Sequence, residues 1–123
     1  MTTKQVADRL VELCRQGKNI EAVKELYAPN AVSHEPPGFP NGPERIDGKD
    51  AILAKTEKFH AMTEAMHNAY VSEPVVAANH FSLAMGMDVT LKGIGRVQMD
   101  EVAVYEVTEG KITREQFYFP TGK

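Results

Sequence analysis

Three side chains of this sequence could move protons in a reaction, namely Glu35, His67 and Asp100. Glu35 ends a short predicted strand and precedes two prolines, which would place it at the mouth of a pocket. Partial removal of water there would raise the pKa of Glu35 toward neutrality, as a general base requires. The alternative for Glu35 is a fully solvated carboxylate in front of a loop.

Asp100 belongs to a run in which both alternating sets of side chains contain polar residues. If the set that includes Gln98 faces inward, Asp100 lies in the floor of a cavity. If the opposite set faces inward, Glu101 takes that place, because a shift of one residue exchanges the two faces of a strand. We choose Asp100 as the candidate acid–base group, and an exposed acid or a dimer-interface acid is the alternative.

Histidine can relay protons near neutral pH. His34 is adjacent to Glu35 and on an extended strand points to the opposite face, so His67 is the better partner for Glu35. The alternative is a purely structural His67. The four histidines lack the spacing of a metal site, and the sequence has neither a phosphate loop nor a dinucleotide fingerprint. We therefore expect no metal and no organic cofactor.

Composition narrows the class of protein. The chain has 123 residues, a net charge of −3, 42% hydrophobic and 25% charged residues, which is typical of one globular domain over residues 1–123. Its basic residues are scattered, so we expect no nucleic-acid partner. No apolar run is long enough to cross a bilayer, so we expect no membrane partner. A single cysteine fits a cytoplasmic location.

Apolar residues at helical spacing predict three helices in the first half of the chain. The first helix spans residues 3–16. The second is capped by Asn19, buries a stripe that includes Tyr27, and ends before Pro29. The third follows Gly48. The first half therefore supplies helices that can cover one face of a sheet.

The second half of the chain changes to alternating patterns that predict strands. With one short strand before the proline-rich loop 36–43, the predicted strands are 31–35, 64–76, 79–91, 95–107 and 112–119. Helices followed by a long meander indicate an α+β fold in which a curved antiparallel sheet wraps around helices as a cone. The last two strands form a hairpin that would be one wall of a partly polar cavity.

Three short runs carry a family resemblance: Leu26-Tyr27-Ala28-Pro29-Asn30-Ala31-Val32, Gly48-Lys49-Asp50-Ala51-Ile52 and Gly110-Lys111-Ile112. Together with the order of the elements, they resemble the SnoaL-like proteins of the nuclear-transport-factor-2-like superfamily. The resemblance implies a cone-shaped α+β barrel with a deep pocket, and homodimers that pack sheet against sheet. It also implies a range of activities, including those of polyketide cyclases and ketosteroid isomerases.

The motif match is best to ketosteroid isomerase, over the second helix and the first strand. The catalytic base of that enzyme falls on Glu35, in an acid–proline pair. Its first-helix tyrosine falls on Leu10 and its protonated aspartate near Gln98, so both oxyanion donors are absent or altered. The polyketide cyclases use a buried aspartate, which raises interest in Asp100.

The sequence thus predicts a SnoaL-like pocket protein that is an isomerase, cyclase, dehydratase or hydrolase acting on a small apolar organic molecule. The alternative is a non-catalytic ligand-binding or dimerising domain. We expect catalytic roles for Glu35, His67 and Asp100. The expected substrate contacts are Tyr27, Phe59, Met85, Gln98, Phe117 and Tyr118. We also expect a homodimer.

Overall fold

The computed structural model describes residues 1–36 and 43–120. The greater part of the predicted proline-rich loop lies outside those residues. No helix among the residues described is long and apolar enough to cross a membrane.

Three helices form where the sequence predicts them. Helix α1 spans Thr3–Arg15 and begins with a reciprocal cap, in which the Thr2 hydroxyl accepts from the Gln5 backbone and the Gln5 side chain accepts from the Thr2 backbone. Helix α2 spans Asn19–Leu26, and helix α3 spans Lys49–Met62. The three predicted helices are confirmed to within one or two residues at their ends.

Tyr27 corrects the predicted end of the second helix. Instead of completing the buried helical stripe, Tyr27 has extended backbone angles and opens strand β1, Tyr27–His34. Pro29 disfavours the helical conformation of the residue before it, which explains why the helix stops here. The pairing register of β1 shifts between Tyr27 and Val32, and this irregularity accommodates a proline within the strand.

Six further strands complete the sheet. They are β2 Arg45–Asp47, β3 Thr63–Val71, β4 Val75–Ala77, β5 His80–Leu91, β6 Gly95–Thr108 and β7 Lys111–Tyr118. Strand β2 was not predicted. The single strand predicted over residues 64–76 is divided into β3 and β4. Pro74 lies in the interruption, where its missing N–H removes a ladder hydrogen bond.

The strand order is β2-β1-β7-β6-β5-β3, and β4 pairs with β5. All pairs are antiparallel except β1 with β7, so the sheet is mixed where a wholly antiparallel one was predicted. The terminal hairpin is confirmed as β6–β7. Its turn residues Glu109 and Gly110 have φ of 51° and 77°, the positive values that a two-residue hairpin turn requires.

The inner face of this α+β sheet packs on the helices. Phe81 and Tyr105 stack with ring centroids 4.8 Å apart, and Ile112 and Leu83 extend the same layer. Helix α1 contributes Val6 and other apolar side chains to the core opposite them. The alternation predicted for residues 79–91 is therefore the alternation between the core and the outer face. This face also carries the inward polar residues of the sheet that are described below.

Candidate functional site

Strand β6 presents Glu101, not Asp100, to the inside of the fold. Ala103 and Tyr105, two and four residues further along, are buried, whereas Asp100 is exposed. Glu101 shares their face because side chains two residues apart point the same way. It lies opposite Met85 of β5 in the pairing register. The alternative in which Glu101 faces the interior is the one the structure adopts.

Asp100 lies on the outer face of the sheet in a small polar cluster. Its Oδ1 accepts hydrogen bonds from the Tyr70 hydroxyl at 2.9 Å and from Gln98 Nε2 at 3.0 Å. The Tyr70 ring crosses Gly86, which leaves no room for a side chain at that position. The expectation that Asp100 and Gln98 face the pocket is therefore wrong. In β6 the alternating set of side chains that includes Glu101 faces inward, and the set that includes Asp100 and Gln98 faces outward.

His67 is also on the outer face, where its Nε2 lies 2.7 Å from Thr90 Oγ1. Its strand β3 forms one edge of the sheet and is exposed over most of its length. His67 therefore does not approach Glu35, and the predicted group of Glu35, His67 and Asp100 is not assembled. The register shift near His67 in the β3–β5 pairing is a non-local feature that its sequence pattern did not signal.

Glu35 does lie inside the fold, immediately after β1. Its backbone N–H donates to Glu44 O at 2.8 Å, and its side chain is 9% exposed. The carboxylate accepts a hydrogen bond from the Lys55 ammonium in an ion pair. Lys55 also lies over the ring of Phe117, with Nζ 5.3 Å from the ring centroid, a cation–π contact. The Glu35 side chain is therefore largely withdrawn from water.

Lys55 is not among the predicted site residues, although the sequence contains a signal for it. It lies three residues after the buried Ile52 and four before the half-buried Phe59 on α3. Residues at this spacing share one face of a helix. A charged residue on an otherwise apolar stripe indicates a buried partner of opposite charge, which is Glu35 here.

A second inward carboxyl group, Glu115 of β7, lies deeper in the fold and is 3% exposed. It accepts a hydrogen bond from the Tyr27 hydroxyl. Burial raises the pKa of Glu115, and the bond from Tyr27 opposes this rise. Ser33 is paired with Glu115 across β1 and β7. Like Tyr27, it lowers the pKa of Glu115 and so favours the Glu115 carboxylate. Its Oγ nevertheless lies outside hydrogen-bonding geometry, buried without a partner in the described part of the chain.

Glu101 completes this interior group. Burial raises its pKa to about 7, the negative charge of Glu35 adds to that effect, and the Lys55 ammonium opposes it. Both protonation states of Glu101 are therefore populated near neutral pH. We call Glu35, Lys55, Glu101 and Glu115 the interior cluster. It combines three carboxyl groups with one ammonium group.

The sequence profile of the SnoaL-like domain matches residues 1–119. The chain belongs to the SnoaL-like domain family. A crystal structure from Mesorhizobium loti, with the provisional designation SnoaL-like polyketide cyclase, is 36% identical, with 97% of this chain and 100% of that chain covered and a TM-score of 0.86. A search of curated protein sequences finds no significant match.

More distant structures share the fold of this SnoaL-like domain. A nuclear-transport-factor-2-like protein from Burkholderia thailandensis is 16% identical over 98% of this chain and 92% of that chain, with a TM-score of 0.82. A Catenulispora acidiphila protein with a ketosteroid isomerase-like fold, solved with trimethylamine, is 17% identical over 93% and 84%, with a TM-score of 0.71. They support the predicted cone-shaped α+β fold.

The expected substrate contacts of this SnoaL-like domain are divided between the two faces. Tyr27, Met85 and Phe117 are on the inside, where they pack in or against the core, and Phe59 is half-buried on α3. Tyr118 is 52% exposed and pairs with Val102, which places it with Gln98 on the outer face. For the residues of β6 and β7, the pairing of the two strands decides this division. Side chains of paired residues point to the same face, so Phe117 is inside with Ala103 and Tyr118 is outside with Val102.

Two hollows on the surface of the SnoaL-like domain lie away from the interior cluster. Their volumes are about 420 and 380 Å³, and both adjoin α1 at Asp8 and Glu12. None of the four interior residues lines them. In residues 1–36 and 43–120, no group of three or more His, Cys, Asp or Glu side chains has an arrangement that could hold a metal ion.

Proposed function

We propose that this SnoaL-like domain is an acid–base enzyme that transfers a proton on a small, largely apolar organic molecule. The observation that carries the proposal is Glu101, an inward carboxyl group whose pKa is raised to about 7 beside two other carboxyl groups. A general base works best when its pKa lies near the working pH, because it is then both available and basic. Glu101 has that property.

Glu101 and Glu35 have different roles in this proposal. Glu35 forms an ion pair with Lys55 and raises the pKa of Glu101 through its charge. Glu101 alternates between carboxylate and carboxylic acid, and so removes a proton from one substrate atom and returns it to another. The apolar walls include Met85 and Phe117, and they would hold water away from the reacting atoms. Isomerisation or cyclisation needs no further reagent.

Deuterium exchange tests the proposal without knowledge of the natural substrate. Cyclohexanone in D₂O exchanges the hydrogens next to its carbonyl group when a base removes them, and NMR follows the loss of signal. We expect the wild-type protein to accelerate the exchange, with a rate that rises through about pH 7 as Glu101 ionises. Glu101→Gln should reduce the acceleration by roughly 10²-fold or more, the usual contribution of a general base.

Glu57→Gln is the matched control, because Glu57 is an exposed carboxylate on α3 and the change removes the same charge. Equal exchange rates for wild-type and Glu101→Gln proteins would contradict the role of Glu101. Glu35→Gln should give an intermediate loss, because it removes a charge that raises the pKa of Glu101.

A non-catalytic ligand-binding domain is the second candidate. The separation of His67 and Asp100 from Glu35 favours it, because the proton relay that those residues would have formed is missing. This candidate predicts that small apolar ligands raise the melting temperature of the protein while neither cyclohexanone nor any such ligand is turned over.

We further propose that the outer face of the sheet binds a second copy of the chain. Tyr70, Val102 and Tyr118 are 47%, 45% and 52% exposed and lie on this face. Light scattering after gel filtration should give twice the 13.6 kDa of one chain. Val102→Asp with Tyr118→Ser should give the mass of one chain.

A cytoplasmic location stays a prediction that rests on the single cysteine.

A further inference from the structure

The ammonium group of Lys55 has hydrogen-bonding capacity that residues 1–36 and 43–120 do not use. An ammonium group donates three hydrogen bonds. Within the described residues Lys55 makes one, to Glu35, and its side chain is 35% exposed. In that part of the chain, nothing else accepts from its remaining N–H groups, which leaves them for an oxygen atom of a ligand. The contact with Phe117 restrains the side chain at the same time.

The charge of Lys55 also reaches the proton-transfer group. Lys55 is the cation that counteracts Glu35 and Glu115 in setting the protonation of Glu101. A molecule that contacts both Lys55 and Glu101 would therefore have a carboxyl group on one side and a positive charge on the other. Removal of a proton leaves negative charge on the substrate, and a fixed positive charge at that point lowers the barrier.

We propose that Lys55 is a catalytic residue that binds the oxygen atom on which this negative charge develops, and hence that the substrate is a small carbonyl compound. This inference rests on the proposed function. It names the group that replaces the two neutral oxyanion donors of ketosteroid isomerase, which fall on Leu10 and near Gln98 in this chain. Leu10 is buried in the core and Gln98 is on the outer face, so neither can take that role.

The chemical step is balanced without a co-reactant. The Glu101 carboxylate takes a proton from the carbon next to the carbonyl group, and the C–H bond breaks. Its electron pair forms a carbon–carbon double bond while the carbonyl π pair moves to oxygen, which gives an enolate. The Lys55 ammonium donates a hydrogen bond to that oxygen. When the substrate carries a further carbon–carbon double bond in conjugation with the enolate, return of the proton from Glu101 to the far end of the conjugated system completes an isomerisation.

Glu35 is a positioning residue in this scheme. Its carboxylate holds the Lys55 ammonium by an ion pair, and Phe117 supports the same side chain from its ring face. Because the Glu35 carboxylate is largely withdrawn from water, the pair is screened less than one on the surface. Glu35→Gln should therefore weaken the binding of an anionic oxygen less than Lys55→Met does.

Binding of 4-nitrophenol tests Lys55 directly, since the absorption spectrum of this probe separates the neutral phenol from the phenolate. Wild-type protein should bind the phenolate in preference to the phenol, so the bound probe is more ionised than the free probe at the same pH. Lys55→Met keeps an unbranched side chain over Phe117 without the charge, and it should lower phenolate affinity at least about tenfold. Lys55→Arg should retain most of the affinity. Lys58→Met, an exposed lysine on the same helix, should have no effect.

The outcomes separate this inference from the proposed function. Unchanged phenolate affinity in Lys55→Met would overturn the role of Lys55, and so would wild-type protein that binds neither form of the probe. Ketone exchange that is lost in Glu101→Gln but unaffected in Lys55→Met would uphold the proposed function and overturn this inference. Loss of both exchange and phenolate binding in a folded Lys55→Met protein, with rescue by Lys55→Arg, would support it.

Discussion

Replacement of Glu101 by glutamine should stabilise the protein, and the gain should depend on pH. Glutamine resembles the protonated carboxylic acid in shape and charge, so it removes the unfavourable ionisation of a buried group. In the folded protein the pKa of Glu101 is raised from 4.5 to about 7, chiefly by burial and then by the charge of Glu35. Between those two pH values the folded protein keeps a proton that the unfolded chain releases.

The magnitude follows from that difference. A rise of a pKa from 4.5 to about 7 corresponds to up to about 3 kcal/mol between the two protonation states. The stability of wild-type protein relative to the variant is highest below pH 4.5, falls as pH rises, and levels off above about pH 7. The variant should therefore gain up to about 3 kcal/mol over wild type between pH 4.5 and pH 8.

Urea unfolding at pH 4.5, 6 and 8, followed by circular dichroism, measures this gain as a difference in the free energy of unfolding. Glu115 titrates in both proteins and so largely cancels from the difference. Glu57→Gln corrects for the loss of one negative charge from the surface. A Glu101→Gln gain that is the same at all three pH values would refute the argument, because it would mean that the pKa of Glu101 is not raised by folding.

Three smaller predictions concern single positions. Burial raises the pKa of Cys14 to about 11, so iodoacetamide at pH 8 should alkylate the native protein at least about tenfold more slowly than the unfolded chain. Gly86→Ala would place Cβ 2.5 Å from Asp100 Oδ1 and 2.6 Å from the Tyr70 ring; it should cost about 1–2 kcal/mol in chemical unfolding and much less in a Tyr70→Ala background. Ser33→Ala removes a buried hydroxyl without a partner in the described residues and should raise the free energy of unfolding by about 1 kcal/mol; a loss would show that water or the Glu115 carboxylate satisfies it.

Local signals in the sequence account for most of the fold that was predicted. The terminal hairpin was found because its turn includes Gly110, with strand-forming runs on both sides. Helix α1 was found because its apolar spacing, its Thr2 cap and its Gly17 stop agree with one another. Such features involve residues within a few positions, so composition and spacing are sufficient to predict them.

The candidate site was predicted less well, because the orientation of its side chains is set by strand pairing between distant parts of the chain. Both faces of β6 contain apolar and acidic residues, so the pattern alone did not decide between Asp100 and Glu101. The decision comes from the register against β5 and from the stacking of Tyr105 on Phe81. The parallel pairing of β1 with β7 brings Ser33 next to Glu115, which are far apart in the chain. No local pattern carries that information.

The interior cluster leads to a last prediction, which couples ligand binding to protons. Ionisation of all three carboxyl groups around one ammonium group is unfavourable, because burial and mutual repulsion raise the pKa values of Glu101 and Glu115. Protonation of a carboxyl group therefore reduces the excess negative charge. A phenolate bound to Lys55 brings further negative charge and raises the pKa of Glu101 again. By linkage, binding of 4-nitrophenolate should be accompanied by uptake of protons, up to the ionised fraction of Glu101 in the free protein.

Isothermal titration calorimetry in buffers with different ionisation enthalpies measures this uptake, because the buffer supplies the proton and adds its own heat. The titration is run above the pKa of the probe, so that the phenolate itself is the species that binds. Glu101→Gln should bind the phenolate at least as tightly as wild type and should take up almost no proton. The same uptake in both proteins would assign the proton to another group and would contradict the place of Glu101 beside Lys55. Uptake that is lost in Glu101→Gln would instead tie proton transfer and oxygen binding to one interior site.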